Sequence, residues 1–447
     1  MSPHGSGAFA GTSRAAMRGR RDRTLLKVAA PRIVTVCVLA GCATSARAQD
    51  LIQARDTLAK HGATFTLVYG GAVSDLDGGV RRGQTYSGNL NIEFAIDGEL
   101  LWRRPGLTLM VDGLWVHGGQ PSSLLGDAQG VSNLSAPPKI TLNEAWVQYN
   151  FFDNRVSVLG GRFDLNTEFY RVQAAGLFVN SSFGIGPEFS GSGVAGPSIF
   201  PNTSVGVRLT LKPTPNTVVR TAVLDGVPID RPDGSVGAFE RGDGLLLVSE
   251  AAFLNRTANG DRTAKVRYRI GRSSGLPPYE NKVAVGGWYY TSTFSDLDTI
   301  DSNGEPRHHR GSSGVYVLGD AGLWRSQKTP GRRLGGFVEA GLGDGRVNRF
   351  GSYFGSGLVA SGLLSMRPAD ELGLAVAIAR DGSAYLNHQR RLGVRTNTSE
   401  TAIEVTYLAQ IANWLAVQPD FQYVIHPNTD ATVRNARAFQ LRFEVMF

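Results

Sequence analysis

Through most of this chain apolar residues alternate singly with polar ones. In the last ten positions Phe439, Leu441, Phe443, Val445 and Phe447 share one parity, and Gln440, Arg442, Glu444 and Met446 share the other. As a strand, such a segment has one oily face and one wet face. The pattern recurs in Leu90, Ile92, Phe94 and Ile96 against Asn89, Asn91, Glu93 and Asp97, and in Ala145, Val147, Tyr149 and Phe151 against Glu144, Trp146, Gln148 and Asn150. It recurs again in Val205, Val207, Leu209 and Leu211 against Ser204, Gly206, Arg208 and Thr210. A soluble sheet can also alternate, with its oily face on a core. Many repeats of about nine to eleven residues, with no long 3.6-residue period after His61, favour tilted strands crossing a bilayer as a closed barrel. Around Arg155 to Asp164 the parity slips, which predicts a bulge near Gly160-Gly161.

The expected fold is therefore all-β: a transmembrane antiparallel β-barrel of about sixteen strands. The strands are placed near 62–73, 88–101, 107–117, 140–151, 155–164, 203–212, 216–225, 245–254, 282–292, 314–325, 334–343, 357–366, 371–380, 400–409, 415–425 and 439–447. An even count puts both termini on one side, the side of short turns such as 367–370 and 410–414. Longer polar loops, 165–202, 293–313, 344–356, 381–399 and 426–437, fall on the other. The stretch 255–281 is ambiguous, because Lys265 to Ile270 could form one more strand. The loop 165–202 carries Phe169, Tyr170, Phe178, Phe183, Phe189 and Phe200. A loop that long and that apolar is expected to fold into the barrel mouth rather than stand in water. Leu51, Ala54 and Leu58 lie at helical spacing, so 49–61 is expected to be a short periplasmic helix-compatible segment ahead of the barrel at 62–447.

Charge changes this picture only at the start of the chain. Eight of the 46 Lys and Arg residues, against one of the 38 Asp and Glu residues, lie at or before Ala48, so the net +8 falls to +1 beyond it. A basic excess confined there gives no reason to expect a nucleic-acid partner. Arginines followed by the apolar run Ile33 to Ala40 and the small residues up to Ala48 form a secretory signal peptide, 1–48, too short in its apolar part to span a membrane. Met17 would give it a more ordinary beginning. Cleavage after Ala48 competes with the Leu39-Ala40-Gly41-Cys42 box, in which cutting before Cys42 would leave a lipid anchor. Cys37 and Cys42 are the only cysteines, so cleavage after Ala48 leaves no disulfide or thiolate site.

Candidate chemistry is sparse. Gly191 to Gly196 fits GxGxxG but has proline on both flanks and no strand-to-helix setting. His308-His309 is an adjacent pair without a third ligand. No catalytic residues, metal site or cofactor are expected. The wet faces are richer: Glu93, Asp97, Asp112, Glu144, Arg208, Arg220, Glu339, Glu404, Asp420, Arg442 and Glu444. Each would cost up to ~2–4 kcal/mol facing lipid at mid-membrane, so they are expected to point inward or sit at the rims. Trp146 and Trp288 share the wet parity, and an aromatic in a hydrated channel can stack on a sugar ring while charged neighbours take its hydroxyls.

Leu142 to Tyr149, Gly160 to Phe169, Asn180 to Gly184, Pro187 to Phe189, Gly287-Trp288-Tyr289, Gly336 to Glu339 and the end segment from Glu400 to Phe447 resemble the carbohydrate-selective porin family of the OprB type. The resemblance covers essentially the whole chain after the leader. It implies a sixteen-stranded outer-membrane barrel of a Gram-negative bacterium and passive uptake of small carbohydrates through a channel narrowed by an inward loop. Carried over by position, Glu144, Trp146, Arg162, Asp164, Asn166 and Glu168 fall in the block leading to the constriction, and Asn180, Phe183, Glu188 and Phe189 fall in the loop. With the wall charges Glu93, Asp112 and Arg208, these are the expected pore residues. Expected partners are sugars, outer-membrane lipids and the barrel assembly machinery, the barrel being a monomer or a homotrimer. A general diffusion porin, or a non-transporting structural or adhesive barrel, remains the alternative.

Overall fold

The computed structural model describes residues 55–228, 239–240, 242–255, 281–329 and 331–447. The expected leader, 1–48, and nearly all of the ambiguous 255–281 stretch lie outside these residues. The chain divides into two units, Met1–Thr57 and Leu58–Phe447. Residues 55–60 are helical, and the second unit holds the barrel.

Sixteen strands follow: β1 (Ala63–Gly79), β2 (Gly83–Asp97), β3 (Leu107–Gly118), β4 (Lys139–Phe151), β5 (Val156–Phe163), β6 (Ser204–Thr214), β7 (Thr217–Asp225), β8 (Leu245–Asn255), β9 (Asn281–Ile300), β10 (Pro306–Arg325), β11 (Arg333–Gly343), β12 (Phe350–Ser361), β13 (Glu371–Asp381), β14 (Ser399–Ala412), β15 (Leu415–Ile425) and β16 (Arg434–Met446). Each pairs antiparallel with its sequence neighbours, and β1 pairs with β16, so the sheet closes and no edge is left unpaired. At the seam Tyr69 faces Val445. Leu67 and Phe447 exchange both backbone hydrogen bonds, at 2.9 and 2.8 Å.

Alternation sorts the faces as the sequence predicts. Ile92, Phe94, Val111, Val147, Val207, Leu374, Phe439 and Leu441 are exposed on the outside, whereas Ser74, Asp112, Glu144, Arg208, Glu250, Glu339, Glu404, Gln422 and Gln440 are buried on the inside. Asp97 sits at the rim. Its carboxylate accepts the amides of Glu99 and Leu100 and caps a one-turn helix, Gly98–Trp102.

Several boundaries differ from expectation. The second strand stops at Asp97 because that cap starts a helix where strand was expected to continue to 101. The twelfth strand is Phe350–Ser361 rather than 357–366. The expected loop 293–313 is mostly strand: past Tyr290, β9 has no partner in β8, and ahead of Gly314, β10 has none in β11. The two therefore continue as a ribbon beyond their neighbours. Asn387 and Arg391 of the helix Ser383–Arg391 brace it through Asp298. The bulge expected near Gly160-Gly161 is not there: the pairs from Val156 to Phe163 run in register, and the parity slips because Leu159 and Phe163 are apolar yet buried. A bulge lies instead in the preceding strand, where Asn143 is the extra residue between Glu144 and Leu142 as they face Asp112 and Gly113. Gly161, with φ of +138°, keeps its pairs in register.

Candidate functional site

The connection between β5 and β6 is closed at its neck by Asp164. One carboxylate oxygen accepts the Asn166 amide at 2.7 Å and the other accepts the Phe200 amide at 3.1 Å. Leu165 N donates to Ser198 O at 2.7 Å. Asn166 spans the loop, its side-chain amide donating to Gly184 O at 2.8 Å. Burial pushes the Asp164 carboxyl up to about 6, against the opposing pull of those two amides.

Beyond the neck the loop has little regular structure, so its backbone polar groups need other partners. The barrel wall supplies them in sequence. Glu250 accepts the Tyr170 amide at 2.9 Å, and Lys282 donates to Arg171 O at 2.6 Å. Asp320 accepts Gln173 N at 2.6 Å, and Gln418 donates to Leu177 O at 2.7 Å. Glu404 accepts Val179 N and Asn180 N at 2.6 and 2.9 Å. Glu168 adds an ionic anchor, 3.1 Å from both Arg208 and Arg220. These inward charges thus hold the loop against the wall.

The apolar residues of the loop seat the same way. Phe189 stacks on Trp288 with centroids 4.1 Å apart and planes at 10°. Phe183 meets Phe178 and Phe337. Glycine in the wall makes room for them: a Cβ at Gly373 would meet the Phe178 ring at 2.8 Å. Glu188 is fully buried, bonded to the Tyr170 hydroxyl at 2.9 Å and lying against Gly341. Burial pushes its carboxyl up to about 7. Asn180 reaches Gln422 at 3.0 Å. Of the four residues expected in the constriction loop, Asn180, Glu188 and Phe189 face the wall as anchors, and Phe183 also borders a cavity.

A second inward connection, 119–138, was not anticipated. Ala128 N and Gln129 N donate to Glu400, and Val131 O accepts from both Gln422 and Gln440. It joins the first loop through Asn133 N to Val179 O and Ser181 N to Gly130 O, each 2.8 Å. Its sequence signal is the one that marked 165–202, apolar residues inside a connection: Leu125 and Val131 are fully buried.

Where the two loops meet, a cavity of about 390 Å³ is lined by Gln129, Asn133, Asp164, Asn166, Arg171, Ser181 and Arg442, with Phe178, Phe183 and Phe200. Asn133, Gly176, Phe178 and Arg442 also line a much smaller space of about 40 Å³ that reaches Gln418 and Glu444. Arg442 donates to Asn133 at 2.8 Å. Gln173 and Ala174 of the same loop border a third cavity, about 420 Å³, lined by Asp320, Arg325, Arg333, Ser361 and Glu371 toward the short-turn end.

The remaining expected pore residues form a separate group. Glu93 faces Asp112, and Asp112 faces Glu144, giving a row of carboxylates across β2, β3 and β4. Asn143 donates to Asp112 and Trp146 donates to Glu144, both at 2.9 Å. Arg162 stands apart: its register partners Ala145 and Val205 lie on the outward parity, and its Nε donates to Thr203 at 2.8 Å. Trp288 lies under Phe189, away from the cavities just described. His309 pairs with Asp296 at 2.8 Å on the β9–β10 ribbon.

Residues 81–447 match the family described as carbohydrate-selective porin, OprB family. Porin B of Pseudomonas aeruginosa is 24% identical over 182 residues, which span 36% of this chain and 40% of that protein. The high-pH structure of Pseudomonas putida OprB superposes with a TM-score of 0.76 at 21% identity, over 89% of this chain and 97% of that one. Its low-pH structure gives 0.54 at 17% identity, with the same coverage. At these identities the structures show a shared fold.

Proposed function

The chain belongs to the carbohydrate-selective porin family OprB, outer-membrane channels of Gram-negative bacteria, and from that premise we propose that it passes small sugars down their gradient through a channel narrowed by its two inward loops. The observation that carries this reading is the cavity of about 390 Å³ where the loops meet. Its volume lies within the roughly 300–1,000 Å³ typical of small-molecule sites. Its lining is matched to a sugar: guanidinium, carboxamide and hydroxyl groups can take ring hydroxyls in pairs, and phenylalanine faces can cover the apolar side of the ring. Asn133, Phe178 and Arg442, shared with the small space beneath, form the narrowest passage in this reading. The carboxylate row Glu93, Asp112 and Glu144, with Trp146, lines the wall along β2 to β4. Asp164, Asn166, Glu168, Arg208, Asn180, Phe183, Glu188 and Phe189 set the loop position, and Arg162 supports the strand end. No covalent step is involved. Residues 1–48 act as the export signal, and the mass of the exported protein distinguishes a start at Gln49 from a lipidated Cys42.

The test is conductance of the purified protein in planar bilayers. A mono- or disaccharide should reduce ion current in a saturable way. Conductance without sugar sensitivity would make it a general diffusion porin, and no conductance would make it a structural or adhesive barrel.

A further inference from the structure

The membrane-facing surface is not uniform. Most outward positions carry large apolar chains, among them Val207, Phe253, Val283 and Val317. Across β7, β8 and β9 one row is small and polar instead: Thr221 faces Ser249, and Ser249 faces Gly287. The Thr221 and Ser249 hydroxyls bond to each other at 3.0 Å. The missing side-chain volume leaves a shallow groove of about 670 Å³ walled by Leu247, Tyr289, Val315 and Leu342. Its floor is fixed in shape, because a Cβ on Gly287 would lie 2.9 Å from the Gly314 carbonyl oxygen.

The groove changes character at its upper end, where Ser313, Asp344 and Arg346 line it. Asp344 follows the last residue of β11 on the long-loop side, the level of outer-leaflet headgroups. Arg346 donates through Nε and Nη2 to the two Asp344 oxygens at 2.9 and 2.8 Å, which fixes the guanidinium while leaving it 63% exposed. The next outward positions of β10 are Arg310 and His308, facing Thr293 and Ser295 across the bulge.

An apolar trough whose upper end carries an exposed guanidinium, held in place by Asp344 and followed along β10 by Arg310, fits an amphiphile with acyl chains and an anionic head. A bare acyl chain would need no cations. We infer that this groove binds a phosphorylated glycolipid of the outer leaflet, its acyl chain along Leu247, Val315 and Leu342 and its phosphate at Arg346 and Arg310.

The experiment is native mass spectrometry of the full protein in detergent, with bis-phosphorylated lipid A and its dephosphorylated form as probes. The phosphorylated probe should be retained, and the dephosphorylated one about tenfold less, the size expected for losing one charge-assisted contact. The double variant Arg310→Gln/Arg346→Gln alters only exposed side chains and should show the same tenfold loss. Ser249→Phe fills the trough from an exposed outward position and should remove retention while leaving channel conductance unchanged. Equal retention of both probes, or wild-type retention by the arginine variant, overturns the assignment. So does a change of oligomer mass in Ser249→Phe with lipid retention intact, since the face would then be an interface between copies.

Discussion

Replacing Glu168 by glutamine tests whether the inward loop is held by discrete ionic anchors. The carboxylate lies 3.1 Å from Arg208 and 3.1 Å from Arg220, and the arginine side chains are only 3% and 5% exposed. Glutamine keeps the shape and one acceptor but leaves two buried cations facing a neutral group. Breaking a buried pair from one side costs about 3–5 kcal/mol. The lower figure applies here, because Arg208 keeps hydrogen bonds to Gln148 and Ser157 and Glu168 retains 15% exposure. At 1.4 kcal/mol per decade, about 3 kcal/mol moves the balance between seated and released loop by roughly a hundredfold. The barrel ladders do not depend on this residue. Hydrogen exchange read by mass spectrometry should therefore accelerate about a hundredfold in peptides covering 165–185, while strand peptides stay protected. Single-channel current should rise and sugar block should weaken in parallel. Loop exchange within threefold of wild type in an intact barrel would refute the reasoning, as would equal acceleration of strand and loop peptides.

Four further outcomes follow from the geometry. Arg442→Ala, which removes the guanidinium shared by the upper cavity and the narrow space below it, should raise open-channel conductance and weaken sugar block, whereas Arg162→Ala should lower thermal stability by about 1–3 kcal/mol with block unchanged. The Glu188 carboxyl is raised by burial from the ordinary 4.5 to about 7, so its contribution to loop seating is fully present below 4.5 and is lost as pH rises through 7; loop protection, taken relative to the intrinsic exchange rate at each pH, should fall from pH 5 to pH 8 in the wild type, and a Glu188→Gln variant that kept the same fall would exclude Glu188 as its source. Deleting Phe447 removes both backbone bonds to Leu67 at the seam and should reduce the yield of inserted, heat-modifiable barrel on gels while leaving sugar block in the surviving channels unchanged.

The barrel was legible because its determinants are local. A period of two places one face in lipid, charges are too costly there, and strand length is set by the bilayer, so parity alone sends Asp112, Glu144, Glu404 and Gln440 inward. Even the closing pair is implied once the count is even. Reading by alternation failed in two places: Asp97 ends a strand by capping a helix, and Leu159 and Phe163 are apolar residues on the buried face, so the slip of parity there marks no bulge. The phenylalanines of 165–202 announced a loop that would not remain in water, and the resemblance located its family.

The sequence by itself thus determined the number and order of the strands, their faces, the inward fate of the long loop and the family of channels to which the chain belongs. Only the tertiary structure decided what each polar side chain does. Glu404 looks like any wall charge until Val179 and Asn180 arrive from more than 200 positions away in sequence to donate to it. Trp288 looks like a sugar platform until Phe189 covers it. Arg171 and the narrow space at Arg442 became visible only on folding. The reason is physical: alternation is a property of neighbours along the chain, whereas a cavity is the space left between segments remote in sequence, and its lining depends on which backbone groups each wall residue has already satisfied.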